Sequence, residues 1–203
     1  MIDSYLTIKD STVHKIARKK SRFIALLSPA CSHEDAERQI DSIRKAYHDA
    51  SHHCSAFRLL IDDGIVEGSS DDGEPSGSAG LPMLNQLAGR DVCNILAVVV
   101  RYYGGTNLGV GGLVRAYSDA VSEALDKTSI VEQALTIRIT IRFPVEVNSG
   151  VMSTVHRFSA HVSTLLYEEP VRIDITLPPS QLDAFRAALT EATGARAKLE
   201  VTL

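Results

Sequence analysis

Histidine and carboxylate side chains lie in two short segments that could carry out polar chemistry. His52 and His53 precede a predicted strand, and three acids follow it, Asp71, Asp72 and Glu74. Such carboxylates could hold Mg²⁺, and a histidine could act as a general base. However, adjacent histidines at a strand start point to opposite faces, and no pair of ligands has the close spacing of a structural zinc site. We therefore expect no metal and no cofactor.

A glycine-rich segment is the second candidate, and it begins with a cation and two phenols. The apolar run 95–100 predicts a strand buried on both faces, with Arg101, Tyr102 and Tyr103 at its end. Five glycines follow it: Gly104, Gly105, Gly109, Gly111 and Gly112. A helical pattern starts at the last of them, and the unpartnered first amides of a helix attract anions. This order predicts an anion site flanked by a solvent-facing Arg101 and by Arg115.

The glycine segment matches no known phosphate motif. Val114 replaces the third glycine of the dinucleotide fingerprint, and no lysine of a Walker A loop lies between Asp91 and Asp126. No serine occurs in a Gly-x-Ser-x-Gly pattern either. Two interpretations therefore stay open: an anion-binding loop, or a tight strand-to-helix connection in which the glycines serve packing. In the second, Arg101 would be structural and pair with Asp71 or Asp72.

A cluster of basic residues lies between two predicted strands, 11–18 and 22–27. It forms the tip of a hairpin and consists of Arg18, Lys19, Lys20 and Arg22. Most charge clusters are solvated turns, and the alternative here is a small phosphate contact.

Several further elements must position these groups. Ser32 begins a predicted helix, 32–47, and a strand at 55–61 ends in a hairpin turn at 62–64. The composition of residues 68–80 predicts a flexible loop. A short helix, 81–87, then leads back to the central strand.

The pattern changes after a predicted linker, 128–133. Strictly alternating strands and two amphipathic helices follow in the order βαββαβ, which is the split βαβ, ferredoxin-like unit. The segments are 135–143, 145–158, 161–167, 171–177, 181–192 and 195–203. The sequence therefore predicts an α+β protein with two domains, 1–130 and 134–203.

The composition limits the classes of function. The 203 residues are 44% hydrophobic with a formal net charge of −4, which argues against an indiscriminate nucleic-acid binder. No apolar run reaches the length of a membrane span, and the first residues lack the features of a signal peptide. Three widely spaced cysteines suit reduced thiols. We expect a cytoplasmic protein with no membrane partner.

The two glycine segments together resemble the YigZ/IMPACT family. The matching segments are 20–23, 52–54, SDDGEP at 70–75 and RYYGG-x-x-LG-x-GGL at 101–113. Bacterial members of the YigZ type also have a C-terminal ferredoxin-like domain, so the resemblance covers nearly the whole chain. It implies that residues 1–130 have the fold of the second domain of ribosomal protein S-five. It also implies that the two domains resemble the fourth and fifth domains of elongation factor G.

The resemblance also bears on function. Eukaryotic IMPACT relatives regulate translation under amino-acid starvation, but that role needs an additional N-terminal domain, so we do not transfer it. Our first hypothesis is a translation-associated regulatory protein that binds RNA, the ribosome or a translation factor through a glycine-rich anion-binding loop. The alternative is a hydrolase or other enzyme that acts on a small phosphorylated or peptide substrate and uses the acidic loop 71–74. We expect a binding protein rather than an enzyme.

Overall fold

The chain has an α+β fold. A computed structural model describes residues 2–61 and 64–202. Contacts divide the chain into two compact units, residues 5–133 and the remainder. The predicted hairpin turn at 62–64 lies largely outside the described residues. Within those residues no helix has both the length and the hydropathy that crossing a bilayer requires.

The N-terminal unit is built on a five-stranded sheet. Among the described residues before position 135 there are seven strands and three helices, and in chain order they are β1 (Ser4–Ile8), β2 (Thr12–Arg18), β3 (Ser21–Pro29), α1 (His33–Ala46), β4 (His52–Ile61), β5 (Gly64–Ser70), α2 (Gly80–Gly89), β6 (Ile95–Tyr102), α3 (Val110–Leu125) and β7 (Ile130–Ala134). The sheet order is β2-β3-β6-β4-β5, with every neighbouring pair antiparallel. Strand β6 is central because its apolar run is buried on both faces, by α1 on one side and by α2 and α3 on the other.

Helix starts in this unit follow from local chemistry. Ser32 Oγ accepts the Asp35 N–H at 3.1 Å and caps α1. Helix α3 begins at Val110, two residues before the predicted start at Gly112. Gly109 causes this difference: it has a φ of +73°, which turns the chain into the helix, and its carbonyl accepts the first intrahelical N–H bonds.

The predicted flexible loop 68–80 is short and held in place. Strand β5 extends to residue 70 and α2 begins at Gly80, which leaves only 71–79 between them. The Asp71 carboxylate accepts three backbone N–H bonds, from Gly77 at 2.7 Å, Ala79 at 2.9 Å and Gly80 at 2.8 Å. The amino-acid composition could not predict that this loop has a fixed conformation, because the hydrogen-bond donors to Asp71 are main-chain amides. Most of the predicted linker 128–133 also belongs to regular structure, since residues 130–133 lie in β7, which pairs with β1.

The C-terminal unit is a four-stranded sheet with its helices on one face. Its main elements are β8 (Ile137–Phe143), α4 (Asn148–Arg157), β9 (His161–Leu166), β10 (Val171–Leu177), α5 (Leu182–Thr193) and β11 (Lys198–Thr202). The sheet order is β11-β8-β10-β9, and the three pairings are antiparallel. Alternate residues of β8 and β10 are fully buried against α4 and α5, which explains the strict alternation in the sequence.

Candidate functional site

A polar network occupies the end of the N-terminal sheet, where β4 and β6 meet. His52 lies directly opposite Arg101 in the strand register. Glu74, from the loop after β5, places Oε1 2.5 Å from Arg101 Nη1 and 4.0 Å from His52 Nε2. His52 Nδ1 donates to the Asp72 carbonyl at 2.8 Å, which fixes the orientation of its ring. Residues distant in sequence thus converge at one sheet end.

Arg101 is buried, and the predicted solvent-facing orientation is wrong. Its side chain is 6% exposed, and that of its partner Glu74 is 4% exposed. The guanidinium also lies 5.5 Å from the ring centroid of Phe23 and 5.4 Å from that of Tyr103. Arg101 therefore has the structural role of the second interpretation, but its partner is Glu74 rather than Asp71 or Asp72. Its Nε is buried without a hydrogen-bond partner among the described residues.

Two further members of the network were not predicted from the sequence. The Tyr117 hydroxyl donates to Glu74 Oε1 at 2.7 Å, and Cys54 Sγ lies 3.3 Å from that hydroxyl oxygen. Burial is the main cause that raises the pKa of Tyr117, and burial raises the pKa of Cys54 to about 12. Cys54 is therefore a thiol rather than a nucleophilic thiolate. Tyr117 lies in the apolar stripe of α3. A buried tyrosine hydroxyl needs a hydrogen-bond partner, and this requirement is the feature of the sequence that could have indicated the role of Tyr117.

The acids of the predicted catalytic loop are occupied by protein donors. Burial opposes ionisation of Asp71, but the N–H bonds from the 71–80 loop outweigh it and hold its pKa below the usual value. Asp72 accepts from the His53 amide at 2.7 Å and from Arg44 at 3.0 Å. Glu74 binds Arg101. Among the described residues, no group of three or more His, Cys, Asp or Glu side chains could hold a metal ion.

His53 does not join His52. Neighbouring residues of a strand point to opposite faces, so the His53 ring lies on the α1 side, where Nε2 is 2.9 Å from the Tyr47 carbonyl oxygen. This contact anchors the end of α1, and the ring is buried. Of the two histidines, only His52 lies beside the Glu74 carboxylate.

The basic turn between β2 and β3, at Lys19 and Lys20, packs directly against the start of the glycine loop. A Cβ added to Gly104 would lie 2.2 Å from the backbone carbon of Lys20, so only glycine fits there. The Gly104 amide also donates to Ser21 Oγ at 3.1 Å. Lys19 and Lys20 have positive φ values of 44° and 68°, and their exposed side chains form no ion pair among the described residues. The turn and the loop therefore form one surface.

Arg115 extends this surface along α3. Arg18, at the end of β2, pairs with Asp119 at 3.0 Å and with Glu123 at 3.5 Å. Arg115 precedes Asp119 by one helical turn on the same face, which places it beyond the end of β2. It is exposed and unpaired within the part of the chain that the structure describes.

The two phenols after Arg101 differ in exposure. Tyr102 donates to Asp49 at 2.8 Å, and Arg22 lies over its ring at 4.7 Å from the centroid, so both are engaged. Tyr103 is 48% exposed. We define the glycine-loop surface as Lys19, Lys20, Tyr103, Arg115 and residues 105–111. At this surface α3 begins, and among the described residues no side chain caps its N-terminus with a hydrogen bond. Gly109, Val110 and Gly111 are exposed.

The comparisons with known proteins decide the family. The model of the Impact N-terminal domain matches residues 19–125. The IMPACT family member YvyE of Bacillus subtilis is 34% identical over 200 residues, which cover 98% of this chain and 92% of that protein. The chain belongs to the IMPACT family. The family member YigZ of Escherichia coli is 38% identical over 174 residues, or 85% of each chain. A crystal structure of a hypothetical protein has a TM-score of 0.72 at 34% identity and covers 98% of this chain and 97% of its own.

The Impact N-terminal match spans the whole site. Residues 19–125 include the basic turn, the Glu74–Arg101 pair, the glycine loop and the part of α3 that carries Tyr117. The IMPACT relatives from Bacillus and Escherichia also extend over most of the C-terminal unit. The family relationship therefore applies to both compact units.

Proposed function

We propose that the chain is a translation-associated regulatory protein that binds RNA, free or within the ribosome, through the glycine-loop surface. The observation that carries this proposal is the close packing of Lys20 against Gly104, which joins the basic turn to the glycine loop. Lys19, Lys20 and Arg115 supply cations that have no ion-pair partner in the described part of the chain, and Tyr103 supplies a ring that is 48% exposed. Cations beside an aromatic ring suit phosphate contacts combined with base stacking.

The charge distribution supports this surface as the binding site. The acids of the 71–74 loop, namely Asp71, Asp72 and Glu74, are held by protein donors. The α3 acids Asp119 and Glu123 are paired with Arg18. These acids therefore do not offset the cations of the glycine-loop surface, although the chain as a whole has a net charge of −4. We expect local, salt-dependent binding rather than binding over the whole chain.

Family membership supports the link to translation. Eukaryotic IMPACT relatives regulate translation, as the sequence resemblance implies. We further propose that the unit from β8 to β11 is a ferredoxin-like domain resembling the fifth domain of elongation factor G. Its βαββαβ order and its sheet order support this assignment. For residues 1–130 we propose the fold of the second domain of ribosomal protein S-five. We propose two domains, 1–130 and 134–203, with the boundary near 128–133.

The enzyme alternative receives less support from the geometry. An acidic catalytic loop needs carboxylates free to meet substrate or Mg²⁺, and each acid at 71–74 already accepts strong hydrogen bonds from the protein. His52 is the one group of that set with a ring nitrogen near a carboxylate and partial exposure. A thermal-shift screen with nucleotides, sugar phosphates and Mg²⁺ addresses this alternative, and we expect no large metal-dependent shift.

Co-sedimentation with ribosomal particles at low salt tests the proposal. We expect the wild-type chain to pellet with the particles and to be released by nuclease treatment. The variant K19N/K20N should remain in the supernatant, and asparagine tolerates the positive φ of both positions. The control K9Q/K45Q removes two exposed lysines from other elements and should still pellet. Equal pelleting of both variants would contradict the assignment of the surface, and pelleting that resists nuclease would indicate a protein partner.

A further inference from the structure

The C-terminal sheet has one face that no helix covers among the described residues. Helices α4 and α5 pack on the other face, against Ile139, Ile141, Ile173 and Ile175, which are fully buried. Because side chains alternate along a strand, the intervening residues point to the open face. These residues are polar throughout β8, β10 and β11, and they are Arg138, Thr140, Arg142, Arg172, Asp174, Thr176, Lys198 and Glu200.

The strand register puts three cations of this face in one row. Lys198 is directly opposite Arg142, and Arg142 is directly opposite Arg172. Neighbouring strands lie about 4.8 Å apart, and like charges directly opposite each other destabilise a sheet. Two such pairs lie side by side here, and ion pairs with two acids of the same face offset part of the repulsion.

The acids on the face offset only part of this charge. Glu200 pairs with Arg142 at 2.7 Å. Asp174 accepts from Thr140 at 2.7 Å and from Arg172 at 3.1 and 2.9 Å. Arg138 and Lys198 have no ion-pair partner among the described residues. Four basic side chains thus face two acidic ones in a chain whose net charge is −4.

We propose that this open face is a second RNA-binding site, which contacts the phosphate backbone without reading sequence. A row of exposed and half-exposed cations matches the repeating negative charge of a phosphodiester chain. Arginine binds phosphate oxygens in a bidentate manner. Glu168 and Glu169 lie in the connection between β9 and β10, close in sequence to Arg172, and limit the site at that end of the two strands. The proposal takes its ligand class from the proposed function but lies on a different unit and on different residues.

Fluorescence anisotropy of labelled oligouridine, titrated with the full chain at several salt concentrations, tests the second site. The variant R138Q/K198Q removes the two unpaired cations. For two lost phosphate contacts we expect affinity to fall roughly tenfold or more near 0.1 M salt, and the slope of log K against log salt to decrease by about 1.4. The control K9Q/K45Q removes the same number of charges elsewhere and should match wild type.

A second variant is expected to change RNA affinity in the opposite direction. E200Q removes one acid and frees Arg142, and its exposed pair contributes little to stability, at 42% and 63% exposure. We expect it to tighten oligouridine binding about two- to fivefold and to steepen the salt slope by about 0.7. Wild-type affinity and slope in both R138Q/K198Q and E200Q would overturn the proposal, even if K19N/K20N weakened binding. Weaker binding in R138Q/K198Q together with wild-type binding in K19N/K20N would support this site and refute the proposed function.

Discussion

Replacing Arg101 with methionine should destabilise the protein strongly while leaving RNA binding intact. The change leaves the Glu74 carboxylate charged in a site that is 4% exposed. Removing one partner of a buried ion pair costs about 3–5 kcal/mol, since the remaining charge has lost its compensation. At a urea dependence of about 2 kcal/mol per M, the unfolding midpoint should fall by about 2 M.

A double-mutant cycle separates the ion pair from the packing of its members. E74Q alone leaves Arg101 charged and without its carboxylate partner. We therefore expect a loss of stability similar to that in R101M. The double variant E74Q/R101M buries no charge, and the glutamine oxygen can still accept from Tyr117. It should therefore recover most of the lost stability, to within about 1 kcal/mol of wild type. Far-UV circular dichroism in urea measures each variant, because the chain has no tryptophan.

The matched control is R18M in the same unit. Arg18 and Asp119 are 41% and 46% exposed, so their ion pair should contribute less than about 1 kcal/mol. If R101M shifts the urea midpoint no more than R18M does, or if the double variant is as unstable as the sum of the single variants, the buried-pair explanation is refuted. A fall in RNA affinity without loss of stability in R101M would restore the predicted anion-binding role of this residue.

Three other predictions concern the loops and the thiols. The folded pKa of Asp71 lies below its unfolded value, so its ionised carboxylate stabilises the fold above about pH 4, and this contribution is lost as pH falls through the folded pKa. D71N should therefore lower the free energy of unfolding by about 1–3 kcal/mol at pH 7. The difference in unfolding free energy between D71N and wild type, measured by urea titration, should narrow below about pH 4, and a constant difference would contradict this. G104A should lower the melting temperature because its Cβ would clash with the Lys20 backbone, whereas G111A has open space and should be neutral or stabilising by up to about 1 kcal/mol; equal melting temperatures would contradict the close approach. Iodoacetamide should label exposed Cys31 quickly and buried Cys54, with its pKa raised to about 12, only after unfolding; mass spectrometry of the native protein showing rapid modification of Cys54 would contradict its burial.

Much of the fold could be predicted because its signals are local. Strand β6 is covered on both faces and has a continuous apolar run, whereas β8 is covered on one face and has alternating apolar and polar residues. Both patterns can be read from a single sequence. Ser32 similarly marks the start of α1. Strands β1 and β7 were not predicted as a pair because they are short and lie far apart in sequence.

The site was harder to predict, since its bonds join distant residues. The acids at 71–74 have the composition of a solvated loop, and nothing local shows that Asp71 binds backbone amides or that Glu74 meets Arg101. A cation at a strand end is exposed in most contexts, and here the covering loop and Tyr117 bury it. The glycines drew attention to this loop, but the reason for Gly104 is the approach of the Lys20 backbone, which only the fold reveals.

The salt dependence of RNA affinity in K19N/K20N tests the central claim most directly. Anisotropy titrations of a labelled single-stranded RNA give log K against log salt for wild type, for K19N/K20N and for the control K9Q/K45Q. If the glycine-loop surface binds phosphates, the double variant should bind roughly tenfold more weakly near 0.1 M salt, and its slope should be smaller by about 1.4. An unchanged slope and affinity in K19N/K20N, or the same loss in the control, would contradict the claim.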